Sequence, residues 1–319
     1  MRPYLSIVIV ALALAALASL AHSNTLANSL VTATIIALAG YGWNLLGGYG
    51  GQYSFGHAAF FGAAAYVDAV AQARYGVNAY AAFVLATAAA ALVGVVIGYL
   101  SFRAGLRGSY FALITLAFAE VMRVLANAAG ITGGAAGTLI RLAPSPSHFQ
   151  FVGRQPYLWI VLVLVTLAMI ATRAVERSRF GAYLVAVREN EAAARALGVD
   201  ALRVKLQAIV ISAALTGLAG ALYAQYFLFV DASIAFGPWI SIEALAAPIV
   251  GGLGTVFGPL VGALALDGFG EAAHAVAGRT PGIELALYGA LLVLVVAVAR
   301  DGLQGLAVRF FAARRAGAA

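Results

Sequence analysis

The residues able to do chemistry in this sequence are few, and most of them sit where charge is expensive. Glu120 and Arg123 lie within the apolar run 109–127, three residues apart and so neighbours on one helix face. Ionisable groups inside such runs are rare and tend to be functional. The two are expected to form an intramembrane ion pair facing protein or a cavity. Glu243, Asp267 and Glu271 fall in the Pro- and Gly-broken region 239–272, and Asp68 in the Gly/Ala-rich region 55–73. His57 stands among small residues with no second His or carboxylate at ligand spacing, so no metal site is expected. The absence of Cys removes thiolate ligands, disulfides and a cysteine nucleophile. No Ser/His/Asp set or carboxylate pair suggests a hydrolase. These residues point to internal pairing or a transport path, not to bond cleavage, and no cofactor is expected.

The glycine run Gly47-Gly48-Tyr49-Gly50-Gly51-Gln52-Tyr53-Ser54-Phe55-Gly56-His57 invites comparison with a phosphate-binding loop. It lacks the terminal Gly-Lys-Ser/Thr that reaches the nucleotide phosphates, so the chain is not expected to hydrolyse nucleotide itself. In a membrane, a Gly cluster between apolar segments marks a helix break lining a cavity. On that reading Gly47, Gly48, Gly50, Gly51, Gln52, Ser54 and His57 are candidates for a solute path. So are Gly251, Gly252 and Gly254 in the second run, Gly251-Gly252-Leu253-Gly254. The other reading is close helix packing through Gly47/Gly51, Gly94/Gly98 and Gly258/Gly262. The faint echo between the two runs is compatible with an internal duplication and with chance.

The elements that must hold these residues follow from composition. The chain of 319 residues is 63% hydrophobic and 10% charged, with mean hydropathy +0.96. Soluble domains are nearer half apolar and a quarter charged, so most of this surface must face lipid, and the chain reads as an all-α polytopic membrane bundle. Crossing the hydrocarbon takes roughly 20 apolar residues in a helix. Candidate spans lie near 4–21, 26–46, 79–100, 109–127, 157–174, 206–229 and 284–299, with the less regular 55–73 and 239–272 between them. The first is read as an uncleaved span, its apolar run being long for a signal peptide. The net charge of +7 comes from Arg between the spans, which orients helices and does not suggest nucleic acid. A cytoplasmic N-terminus places 101–108, 173–205 and the tail on the inner side if 239–272 crosses twice. Arg74, Arg141, Arg154 and Arg279 then fall outside. The expectation is about ten spans (range 8–10), some broken by Gly or Pro, with both termini cytoplasmic. Residues 1–319 form a single membrane domain, with 176–205 a cytoplasmic coupling segment within it. The polar stretch 128–156, rich in turn formers, is the longest outer loop.

Within that cytoplasmic segment, Arg188-Glu189-Asn190-Glu191-Ala192-Ala193-Ala194-Arg195-Ala196-Leu197-Gly198 combines strong helix formers with a terminal Gly suited to end a helix. It is too short and polar to span. A solvated connector and a docking helix that transmits force from a partner both fit it. As a docking helix its candidate contact residues are Arg188, Glu189, Glu191, Ala193, Ala194, Leu197 and Gly198.

Asn44 through Gly62, Gly105 through Glu120, the Arg188–Gly198 stretch, Ile211 through Tyr223 and Gly251-Gly252-Leu253-Gly254-Thr255 resemble, in order, the motifs of the branched-chain amino-acid ABC importer permeases, LivM-type subunit. The resemblance covers roughly residues 30–305. It implies a non-catalytic permease of the bacterial inner membrane that works with four other subunits and membrane lipid. These are a homologous second permease, two cytoplasmic ATP-binding subunits and a periplasmic solute-binding protein. It further implies that the Arg188–Gly198 helix contacts the ATPases. Ala64 stands where the family often has Gly, and Ala135-Ala136 where it has Pro-Asn, so the solute is not read from these residues. A secondary transporter or channel working without ATPases is the other class of function considered.

Overall fold

The computed structural model describes residues 2–20, 23–277, 289–290, 293 and 302–306. The expected span 284–299 and the basic tail lie largely outside the described residues. Helix follows helix along the chain: α1 (Arg2–Leu20), α2 (Asn24–Trp43), α3 (His57–Tyr75), α4 (Ala79–Arg103), α5 (Gly108–Ala128), α6 (Gln155–Glu176), α7 (Arg179–Glu189), α8 (Glu191–Ala196), α9 (Ala201–Phe227), α10 (Ala232–Ala235), α11 (Pro238–Gly251) and α12 (Gly258–Ala277). Strands β1 (Thr138–Leu139) and β2 (Phe229–Val230) pair antiparallel, a small exception to the all-α expectation. Six helical segments among the described residues are long and apolar enough to cross a membrane. The chain is a polytopic helical membrane protein.

Local chemistry sets the breaks. Asn78 caps α4 by accepting from the Tyr80 amide at 3.0 Å. Gly76, at φ +63°, ends α3 in a conformation that costs a residue with a Cβ. The region 239–272 does divide into two helices, α11 and α12, because Gly252 and Gly254 turn the chain at positive φ.

The centre of the bundle is α2, buried almost continuously from Leu30 to Trp43, packed against α9, α12, α11 and α6. Small residues let α9 approach α4 and α3 closely, as membrane packing requires. A Cβ at Gly94 would meet the Ala213 methyl at 2.6 Å, one at Gly98 would meet Ile209 at 2.5 Å, and one at Gly220 would meet the Phe61 main-chain oxygen at 2.1 Å. The helices α1, α4 and α6 line the outside and expose apolar side chains such as Leu12, Val84, Leu92 and Val163.

Contacts between helix ends define two poles. At one, Arg188 reaches Gly48 in the helical turn that continues α2, and the α11–α12 turn joins them. At the other, Arg74 donates to the Gly130 oxygen at 2.8 Å and Tyr80 Oη to the Pro146 oxygen at 2.7 Å. The loop 128–156 closes that second pole, with β1 pairing onto β2.

Candidate functional site

At the first pole the stretch read as one helix from Arg188 to Gly198 is two. Arg188 and Glu189 end α7; Asn190 leaves helical geometry (φ −157°, ψ 100°) and caps α8 by accepting from the Ala193 amide at 3.0 Å. Asn favours such a cap over a helix interior, which is why the strong helix formers around it do not fuse into a single rod. Gly198, at φ +85°, closes α8, with its amide on the Arg195 oxygen and that of Val199 on the Ala194 oxygen. Ala194 points inward and is buried, while Ala192, Ala193 and Ala196 are exposed and Leu197 is 86% exposed. The surface offered outward is thus Ala193 and Leu197, without Ala194.

Glu191 is the electrostatic centre of this segment. Lys205 Nζ donates to Oε2 at 2.6 Å, Arg195 to Oε1 at 2.6 Å, and Arg107 Nε stands 3.4 Å away. Burial pushes the Glu191 carboxyl up, but Lys205 first, then Arg107 and Arg195, outweigh it and hold it below the usual carboxylate range. Lys205, the chain's single Lys, is 5% exposed and lies over the Phe102 ring. Glu191 thereby ties α8 to the start of α9 and to the residue before α5. Lys205 and Arg107 were absent from the sequence-derived candidates; a lone Lys at the foot of an apolar span was the signal available.

Arg188 makes the second connection. Its Nη1 donates to the Gly48 oxygen at 2.8 Å, while Nε and Nη2 hold Glu189. Gly51, at φ +65°, leaves room for the Arg188 stem: a Cβ there would meet Arg188 Cγ at 2.4 Å. The first glycine run does not break α2 at Gly47. Residues Asn44–Tyr49 continue it as a π-helical turn, and the chain leaves the helix only from Gly50 to Gly56. Asn44 then joins the two glycine runs, accepting from the Gly254 amide at 2.8 Å and donating to the Thr255 oxygen at 2.9 Å.

Three of the glycines named as path candidates are closely packed. Gly47 faces Trp43, Gly48 faces Asn44 and Gly254, and Gly251 meets the backbone of Gly258 and Gly262. The Ser54 oxygen accepts from Trp43 Nε1 at 2.8 Å, and Gln52 Nε2 donates to the Gly50 oxygen. His57 is fully buried, 2.9 Å from Ser212 Oγ in the α3–α9 seam. Asp68 is fully buried too, and its Oδ2 accepts from Gln72 and Gln225, each at 2.9 Å.

The principal cavity, about 610 Å³, opens instead between α2, α9, α11 and α12, nearer the second pole. Phe61, Tyr223 and Trp239 give it aromatic walls, and Glu243, Asp267 and Glu271 line it. None of the glycine-run candidates does. Ser29 Oγ donates to Asp267, so one of the three carboxylates lining the cavity is also held by α2. The Glu120–Arg123 pair is formed, with Arg123 donating at 2.9 Å and 2.5 Å to the two carboxylate oxygens. The pair was expected to face protein or a cavity; in this chain it lies on the outward side of α5, the Glu120 side chain 50% and the Arg123 side chain 31% exposed. Periodicity places the pair on one face without saying which, because the flanking residues are apolar all round.

Residues 25–296 match the family model described as branched-chain amino acid transport system / permease component. The chain belongs to this permease family. It is 33% identical over 259 residues to the high-affinity branched-chain amino acid transport system permease protein LivM of Escherichia coli K12, covering 73% of this chain and 60% of that relative. It is also 32% identical to LivH of the same organism over 47% of each chain. To the autoinducer 2 import system permease protein LsrC of Klebsiella pneumoniae it is 33% identical over 38% of this chain and 36% of that one. The chain spans about 60% of the length of the LivM relatives it matches. No solved structure matches it significantly.

Proposed function

We propose that this permease-family chain is the membrane subunit of an ATP-driven importer, passing a branched-chain amino acid or a related small polar solute across the bacterial inner membrane. The observation that carries the reading is the junction at the first pole. An exposed Ala193/Leu197 tip is tied by Arg188 to Gly48 and by Glu191 to Arg107 and Lys205. A solvated connector needs no such set of ties; a helix that receives a push from a cytoplasmic subunit does.

In this reading two P-loop ATPases seat on α8, and the permease itself is non-catalytic. A homologous second permease completes the membrane part, and a periplasmic binding protein delivers solute at the second pole. Residues 176–205 form the cytoplasmic coupling segment, and the chain crosses about ten times with both termini inside. The cavity with Glu243 and Asp267 is the candidate stretch of solute path, its carboxylates matched to an amino group.

The test is purification of the transporter with its neighbouring subunits. Co-purification of a P-loop ATPase whose hydrolysis rises with loaded binding protein is expected. Solute uptake into vesicles lacking ATP and ATPase subunits would instead establish a secondary transporter or channel.

A further inference from the structure

The outward surfaces of this bundle are of two kinds. Between Asn78 and Arg103, α4 presents only apolar or small residues to the outside, with Val84, Leu85, Leu92 and Val96 well exposed, a surface suited to acyl chains. The helix α5 buries Phe111, Ala112, Thr115, Ala119 and Ala126. Outward it exposes Leu113, Glu120, Val121 and Val124. Its ion pair stands past the midpoint of the helix Gly108–Ala128, with Glu120 the deeper of the two and Arg123 in its C-terminal part. Ionised groups at that depth face protein or a wet cavity, not lipid.

We infer that the outward face of α5, centred on Glu120 and Arg123, is the surface that packs against the homologous second permease; the inference rests on the importer reading above. Two observations select that occupant over lipid or an unrelated protein. This chain matches LivM-type relatives over most of its length and LivH-type relatives over about half, so the two permease kinds share a plan. A pseudo-two-fold axis normal to the membrane would bring the corresponding helices of two such chains together at the same depth. Second, α5 is bound at its foot to the coupling segment through Arg107–Glu191, and at Thr115 to the loop after α2, where Thr115 Oγ1 accepts from the Phe55 amide at 3.2 Å. A face on this helix therefore joins the subunit seam to the parts that α8 would move.

Photo-cross-linking of the purified complex in lipid nanodiscs tests this, with p-benzoylphenylalanine placed at Val124 and, as the lipid-facing control, at Leu92. Val124 is expected to give an adduct with the co-purified second permease, identified by mass spectrometry, and Leu92 only lipid adducts. An intact complex in which Val124 reacts with lipid alone, or with a second copy of this chain, overturns the inference. A wild-type chain that purifies with no permease and no ATPase strikes the importer reading instead. As a second measurement, Glu120→Gln and Arg123→Gln should each lower retention of the second permease several-fold while leaving the melting temperature of the isolated subunit unchanged. Unchanged retention in both variants counts against the assignment.

Discussion

The Arg188 guanidinium and the Gly48 carbonyl, 140 residues apart in sequence, meet at 2.8 Å. That bond links α7 to the π-helical turn that continues the most buried helix of the bundle. It is charge-assisted, of a kind that contributes about 1.5–3 kcal/mol when partly buried. Arg188→Gln should therefore leave the protein folded and inserted but cut uptake more than thermal stability. Equal uptake per folded molecule would show that the junction carries no signal.

Ala193 and Ala194 are neighbours with opposite surroundings, one exposed and one buried. Ala193→Asp should give a normal yield and lose solute-stimulated ATP hydrolysis, because a partner would have to bury the new charge. Ala194→Asp should lower the yield itself. If Ala193→Asp kept full stimulated hydrolysis, α8 would not be the ATPase contact.

The Glu191 carboxyl is held below its ordinary range by Lys205, Arg107 and Arg195 against the opposing effect of burial. A depressed folded-state pKa contributes stability that is present above the unfolded value and lost as pH falls through the folded one. The wild type should melt higher than Glu191→Gln in detergent near neutral pH. That margin should shrink as pH drops below about 4.3, the ordinary Glu value. A margin that does not change with pH would remove the charge cluster as its origin.

A Cβ at Gly220 would stand 2.1 Å from the Phe61 oxygen, and that backbone sits between central helices. Gly220→Ala is expected to cost about 1–3 kcal/mol through overpacking, read as a lower melting temperature. Gly76→Ala, where a Cβ meets nothing within 4 Å, should cost only its positive φ, about 1 kcal/mol.

Ser145 and Leu197 lie at opposite poles with α6 as the one long helix between them. In this Cys-free chain, Ser145→Cys should react with an impermeant maleimide in intact cells, and Leu197→Cys only after permeabilisation. Labelling of both from outside would refute the proposed orientation.

Helix existence was legible because runs such as 79–100 and 157–174 carry apolar length that only a span requires. The observed helices start and stop within a few residues of those limits. The division of 239–272 was legible too, since the Gly251–Gly254 run turns the chain at positive φ, whereas Pro248, also read as a break, sits inside α11. The interior was not. Whether Gly47 borders space or a Trp43 ring depends on how α2 lies against its own turn, and composition is silent on that. The same holds for Glu120 and Arg123: spacing pairs them, but their direction depends on which side of α5 finds α3. Asn190 was the local signal underused, a capping residue set amid strong helix formers.

Three of the ties at the first pole converge on two residues, Arg188 and Glu191. Arg188 holds the π-helical turn that continues α2, Glu191 holds Arg107 at the start of α5, and Lys205 roots the same carboxylate in α9. A tip standing on three separate legs has no free swivel. Load applied at Leu197 spreads to three helices at once, and because their far ends are clamped by a different set of loops, the response available to the bundle is a shared tilt about its middle, with little slack for any one helix to slide alone.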